Sequence, residues 1–232
     1  MAKRRARMSD VASGGEPSPD TPEPPGNLQV SFTELAGNTV LHRVHQSQYR
    51  ADQFNPGVRG DARFSPIQND QGRPIPTLYA GTNLPCALME TVFHDVPHTA
   101  GFKSFDKAKL AGQVHSTVQV KAPLQLVDLA SVPLRKLGVT RKQLIDTEKD
   151  QYPRTRKWAM AIHGQCPTAQ GLSWVSRQDD SARAVMLFGD RISEGALRAG
   201  GESRSLIDDA GTYDAVLDLA ERIGVSIIPG KS

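Results

Sequence analysis

Glu90 is the residue of this sequence whose setting most needs a reason. It stands in the run PCALMETVFHD, where Leu84, Cys86, Ala87, Leu88, Met89, Val92 and Phe93 cover nearly every face of one helix. Pro85 suits a helix N-terminus, with Thr82 or Asn83 as the cap. A helix that is apolar all round is a buried one. A carboxylate in such a place is costly unless it is paired or hydrogen-bonded. Two readings follow: an i,i+4 pair with His94 on a partly exposed edge, or a carboxylate kept for chemistry. The setting favours the second.

Three further residues carry chemical groups but are weak signals singly. Arg63, in RGDARFSP, alternates with Phe64 on an expected strand, where an arginine is ordinarily the solvent-facing residue; its alternative role is to hold an anion. Tyr79, in TLYAG, reads as a core aromatic of a strand. Ser176, in GLSWVSR, shares a face with Leu172 and Trp174, so its hydroxyl needs a partner, for which a backbone carbonyl suffices. Competing sets are missing: there is no GxSxG elbow, no phosphate-binding GxxxxGK[ST], no HExxH and no GxGxxG after a strand. The six histidines form no ligand set, so no metal is expected, and Pro97 interrupts the helix between His94 and His98.

The elements that must position these residues are short and mixed. Strands are expected at 39–44, 62–65, 77–81, 113–120, 124–129, 171–176, 183–188 and 225–229, and helices at 84–95, 140–147, 151–163 and 213–223. This is an α+β class, a compact mixed β-sheet core with flanking helices. The loop after Arg63 contains Gly72, Pro74 and Pro76 and is too long for a tight hairpin, so it is expected to overhang a cleft.

Composition narrows the classes. The 232 residues, 38% hydrophobic and 23% charged, suffice for one generous domain. Residues 1–27, rich in Pro, Gly and Ser, have little to bury and are expected to form a flexible, disordered tail, with one domain over 28–232. No run has the roughly 20 apolar residues of a membrane span, and no apolar segment follows the basic start, so no secretory leader is read. Cys86 and Cys166 lack metal spacing and fit a reduced, cytoplasmic setting. Eight basic residues between Arg135 and Lys157 face only Asp146, Glu148 and Asp150 in sequence. Without a groove-reading motif or stacking aromatics, this run reads as a solvated helix face rather than a nucleic-acid surface.

Taken in order, Arg63, Tyr79, Glu90 and Ser176 resemble the arginine, tyrosine, glutamate and serine of the RES-domain family, and LHRVHQSQYRADQFNP (41–56) is similar to that family's opening segment. The resemblance covers roughly 39–192, leaving the tail and a C-terminal extension without a counterpart. It implies a fold like that of ADP-ribosyltransferases and the destruction of NAD⁺ by hydrolysis or phosphorolysis, as the toxin of a toxin–antitoxin pair. NAD⁺ is then the substrate and no cofactor is needed; inorganic phosphate is a candidate co-substrate, and the partner a separately encoded antitoxin. The alternatives are a mono-ADP-ribosyltransferase acting on protein and a non-enzymatic binding module.

The residue types suit that chemistry. Cleaving the nicotinamide–ribose bond passes through an oxocarbenium-like state. The pyridinium leaves neutral, so one carboxylate serves where a glycosidase needs two. By the resemblance Glu90 would stabilise the developing charge and bind the ribose hydroxyls. Arg63 would hold the pyrophosphate through its planar fork, with Arg43 as a second anion contact. Tyr79 would pack on the nicotinamide or ribose and orient it. Ser176 would support Glu90 or the substrate, Ser173 being the second candidate nearby.

Overall fold

The computed structural model describes residues 20–57, 59–97, 101–176 and 180–230. In chain order the elements are β1 (Phe32–Leu35), β2 (Val40–Gln46), β3 (Ile67–Gln68), β4 (Pro74–Ile75), β5 (Thr77–Gly81), α1 (Leu84–Thr91), β6 (Lys103–Asp106), β7 (Gln113–Val120) and β8 (Leu124–Asp128). There follow α2 (Ser131–Leu137), α3 (Arg141–Leu144), α4 (Tyr152–Gln165), β9 (Gly171–Val175), β10 (Arg183–Phe188), β11 (Leu197–Ala199), β12 (Arg204–Ser205), α5 (Ala210–Arg222) and β13 (Val225–Ile228). The class is α+β, as the mixture of short strands and helices implied.

The main sheet runs β1-β8-β9-β10-β5-β2-β7-β11, with β12 also on β7. Only β8 and β9 run parallel within it; the other pairs are antiparallel. Period-2 alternation sorts its residues into two cores. From β5 and β10, Leu78, Ala80, Val185 and Leu187 join one cluster, which also takes Leu35, Leu124 and Leu126 from one end of the sheet and Val118, Val120 and Leu197 from the other. Both ends reaching one cluster requires a sheet curled around it, the usual outcome of strand twist. The alternate residues Tyr79, Ala184, Met186 and Phe188 face a second core, closed by Leu134, Leu137, Leu144, Trp158 and Ile162 of α2, α3 and α4.

α1 is held against the sheet by a close approach. A Cβ on Gly81 would lie 2.8 Å from the Cys86 sulfur and 2.9 Å from the Ala87 nitrogen, so only glycine lets the strand turn directly into the helix. Asn83 caps α1, its side chain accepting from the Cys86 N–H at 2.7 Å. The other side of α1 packs on the C-terminal extension: Leu88, Met89, Val92 and Phe93 share a cluster with Val216, Leu219 and Ala220 of α5. The extension thereby supports the helix that carries Glu90.

Three expectations change. Residues 62–65 form no strand; Ala62 and Ser65 make a single bridge within a tight loop. The long loop after Arg63 is a small ribbon of β3 and β4, and Ile67 and Ile75 bury in the helix-covered core, so it does not overhang the cleft. Residues 20–27, grouped with the tail by composition, lie along α4: the Trp158 indole donates to the Pro22 carbonyl at 2.7 Å, Thr21 Oγ1 donates to the Gln143 carbonyl at 2.6 Å, and Asp20 pairs with Arg154 at 2.9 Å. A proline-rich segment of this kind lacks a core of its own but finds partners on a helix already folded. Residues 1–19 lie outside the described residues.

The basic run is met by Asp146 from within it and by four carboxylates distant in sequence. Arg141 pairs with Asp146, Lys149 with Asp95, Arg154 with Asp20, Arg156 with Asp61, and Lys157 with Glu23. Most of these pairs are exposed and add little stability, but they neutralise much of the positive face.

Across β2 and β7, His42 and His115 stack with ring centroids 5.2 Å apart and Nδ1 to Nε2 at 3.0 Å. Burial lowers both, and neighbouring His42, Arg204 and His45 help take His115 to about 4, against the pull of Asp209. The folded state thus resists protons that the unfolded chain accepts below about 6.5. Stability from this pair is complete above that pH and is lost as pH falls toward 4. The urea midpoint should drop across that window, and His115→Gln should flatten the drop.

Candidate active site

The loop that carries Arg63 is fastened from several sides. The Phe64 N–H donates to the Tyr79 hydroxyl at 3.0 Å, Arg156 Nε donates to the Ala62 carbonyl at 3.1 Å, and the Thr155 hydroxyl donates to the Arg63 carbonyl. Phe64 is fully buried, edge-on to Trp174 at 5.2 Å between centroids. These contacts fix the backbone at Arg63 and turn its side chain inward.

Arg63 is only 7% exposed, against the expectation of a solvated strand charge. Its Nη1 donates to Thr147 Oγ1 at 2.9 Å, and its guanidinium carbon sits 5.5 Å from the centre of the Tyr152 ring. The second contact is within cation–π range. Nε is buried without a hydrogen-bond partner, and among the described residues no carboxylate lies within salt-bridge distance of this side chain. A buried cation held only by neutral groups carries an uncompensated desolvation cost of several kcal/mol. An anionic ligand removes that cost.

Glu90 has a partner other than the one first considered. Ser176 Oγ donates to its Oε1 at 2.9 Å. His94 instead meets the Thr91 carbonyl through Nδ1 at 2.9 Å and Asp95 through Nε2 at 3.2 Å, so the i,i+4 pair with Glu90 is not formed. Ser176 is fully buried behind the carboxylate, while Glu90 itself is half-buried and opens onto a cavity.

That cavity, about 270 Å³, has Arg43, Arg63, Tyr79, Glu90, His94 and Tyr152 among its walls. Arg63 and Glu90 therefore face one space, although they come from a loop and a helix 27 positions apart. A cation and a carboxylate across a shared cavity suit a ligand that is anionic at one place and becomes cationic at another.

A model of the RES domain matches residues 40–206. This chain belongs to the RES-domain family. The match extends beyond residue 192 to take in β11 and β12. No curated protein and no solved structure is significantly similar to the chain.

Within this RES domain the Tyr79 hydroxyl is already engaged, accepting from Phe64 and bonded to Ser65, and burial raises its pKa well above the ordinary phenol. Its ring, edge-on to Trp174, remains on the cavity wall. Arg43 spends Nη1 on the carbonyls of Ala51 and Gln53, each at 2.7 Å, and burial lowers its pKa to about 10 against the pull of Asp52. It stays charged at neutral pH. Thr147, Tyr152, Thr155 and Arg156 escaped the sequence reading: they serve Arg63 and its loop from 84 to 95 positions away, and none sits in a motif.

The geometry also separates the two serines. Ser173 is turned to another task, its hydroxyl accepting from Arg183 Nε at 2.9 Å, with Arg183 in turn on Asp128. Ser176→Ala removes a hydrogen bond to a charged acceptor, worth about 1.5–3 kcal/mol. It should lower kcat more than it raises KM, whereas Ser173→Ala should leave the site's kinetics as in the parent protein and lower only the melting temperature. Steady-state kinetics with thermal melts of both variants checks this.

Proposed function

We propose that this RES domain cleaves the nicotinamide–ribose bond of NAD⁺ by hydrolysis or phosphorolysis. The observation that carries the reading is the pairing, in one cavity, of a serine-held carboxylate with a buried arginine that has no carboxylate partner among the described residues. In this reading Arg63 binds the pyrophosphate through the nitrogens that Thr147 leaves free. Its fixed geometry sets the distance from the phosphates to the reacting sugar.

Glu90, held by Ser176, lies against the nicotinamide ribose. As the C–N bond breaks, positive charge grows on the sugar ring and the electron pair leaves with nicotinamide. A fixed carboxylate stabilises that charge more than it stabilises the ground state. Water or phosphate then attacks the sugar carbon, and neither acceptor needs a dedicated motif. Tyr79 offers a ring face to the leaving nicotinamide, since its hydroxyl is held by the Arg63 loop.

The RES domain is known from toxin–antitoxin systems, and loss of NAD⁺ accounts for toxicity directly. The chain would then act as the toxin, restrained by a separately encoded partner. The kinship with ADP-ribosyltransferase folds belongs to the same reading. Incubating the purified, partner-free protein with NAD⁺, with and without phosphate, tests it. Release of nicotinamide is expected; a folded protein that leaves NAD⁺ intact in both conditions overturns it.

A further inference from the structure

A second recess, of about 280 Å³, adjoins the cavity of Glu90 and Arg63, and Arg43 and Asn55 stand in the walls of both. The first cavity shares Thr91 and His94, next to Glu90, with a different pocket, whereas Arg43 and Asn55 are the residues it shares with this recess. The first cavity falls just below the usual range for ligand sites, about 300–1,000 Å³. It suits half of a dinucleotide, and the recess beyond Arg43 doubles the room.

The walls of that recess are aromatic and cationic. Phe54 is a fixed platform: its ring packs on Gly189, where an added Cβ would stand 2.9 Å from Cδ1. Tyr49 is 43% exposed on a turn closed by its N–H to the Gln46 carbonyl at 3.1 Å. Arg43 and Arg59 contribute positive charge, and among the described residues no carboxylate lines the recess. Rigid and exposed aromatic faces beside arginines are the features that stack nucleobases and attract phosphates. Arg43, pinned by the Ala51 and Gln53 carbonyls, stands at the boundary where a bridging phosphate would lie.

Resting on the NAD⁺ reading above, we propose that this recess binds the adenosine half of the dinucleotide, with the purine stacked on Tyr49 and Arg43 meeting the adenosine-side phosphate. The site thereby selects a dinucleotide over a mononucleotide. Tyr49 touches neither the reacting sugar nor Glu90, so its contribution is to substrate choice.

AMP binding by calorimetry, together with kinetics on NAD⁺ and nicotinamide mononucleotide, tests the assignment. Loss of one base-stacking contact weakens binding about tenfold. Tyr49→Ala should weaken AMP by about that factor and lower the preference for NAD⁺ over the mononucleotide to the same extent, while Tyr49→Phe should retain both. AMP that fails to bind the parent protein, or binds Tyr49→Ala equally well, overturns the assignment. AMP is read without turnover. If the parent consumes no NAD⁺ yet binds AMP through Tyr49, the catalytic reading fails and the nucleotide recess stands.

Discussion

Glu90→Gln should reduce NAD⁺ turnover by about 10²- to 10³-fold, the cost of deleting one fixed electrostatic group at a reacting centre. The substitution is isosteric, and Ser176 can still donate to the amide oxygen, so the fold should be kept. What changes is the charge that would face the sugar in the proposed reaction, and only the transition state would demand it. kcat should therefore fall with little change in KM. Nicotinamide release by the purified variant and growth of cells expressing it are the measurements, with circular dichroism to verify folding. A variant as active and as toxic as the parent would remove Glu90 from the chemistry. A variant that is inactive because it unfolds would show instead that Ser176 and Glu90 form a structural pair.

Arg63→Ala should lower kcat/KM by about 30- to 700-fold, since truncating one partner of a buried charge–charge contact costs about 2–4 kcal/mol. Here the loss should appear mainly in KM, because a pyrophosphate held by Arg63 would be bound equally in ground and transition states. The free protein should not be destabilised to match. Among the described residues Arg63 has only Thr147 and Tyr152 as side-chain partners, and removing an uncompensated buried charge relieves a desolvation cost. A variant that melts at or above the parent temperature yet binds NAD⁺ poorly is the expected signature. Arg63→Lys should recover little, as an ammonium lacks the fork that can engage Thr147 and a phosphate together. Equal activity with alanine at this position would make Arg63 a structural residue only.

Much of the framework is legible in the chain itself. The alternation of 113–120 specifies a strand with one apolar face, and Val118 and Val120 from that face enter one core; 183–188, apolar on both faces, sends its odd and even residues into different cores. The helix at Glu90 starts where Asn83 and Pro85 place it, though it ends at Thr91 rather than at 95. The segment 62–65 misled because Ala-Arg-Phe-Ser has strand-like alternation while its backbone is committed to Tyr79, Thr155 and Arg156, all distant in sequence. Residues 20–27 misled for a related reason: their composition cannot build a core, yet α4 supplies one surface that accepts them.

Sequence alone supplied the residues of the candidate site. A carboxylate in a helix apolar on every side is costly wherever that helix packs, and the order of Arg63, Tyr79, Glu90 and Ser176 points to one family. The tertiary structure decided what those groups do to each other. It gave Glu90 to Ser176 rather than to His94, turned Arg63 from an expected surface charge into a buried cation with no carboxylate partner among the described residues, and spent the Tyr79 hydroxyl on the loop that carries Arg63. Local patterns report burial because hydrophobicity and periodicity are properties of short segments. Which donor meets which acceptor depends on contacts across 15 to 92 positions, and those exist only once the sheet has curled and α1 and α4 have closed over it.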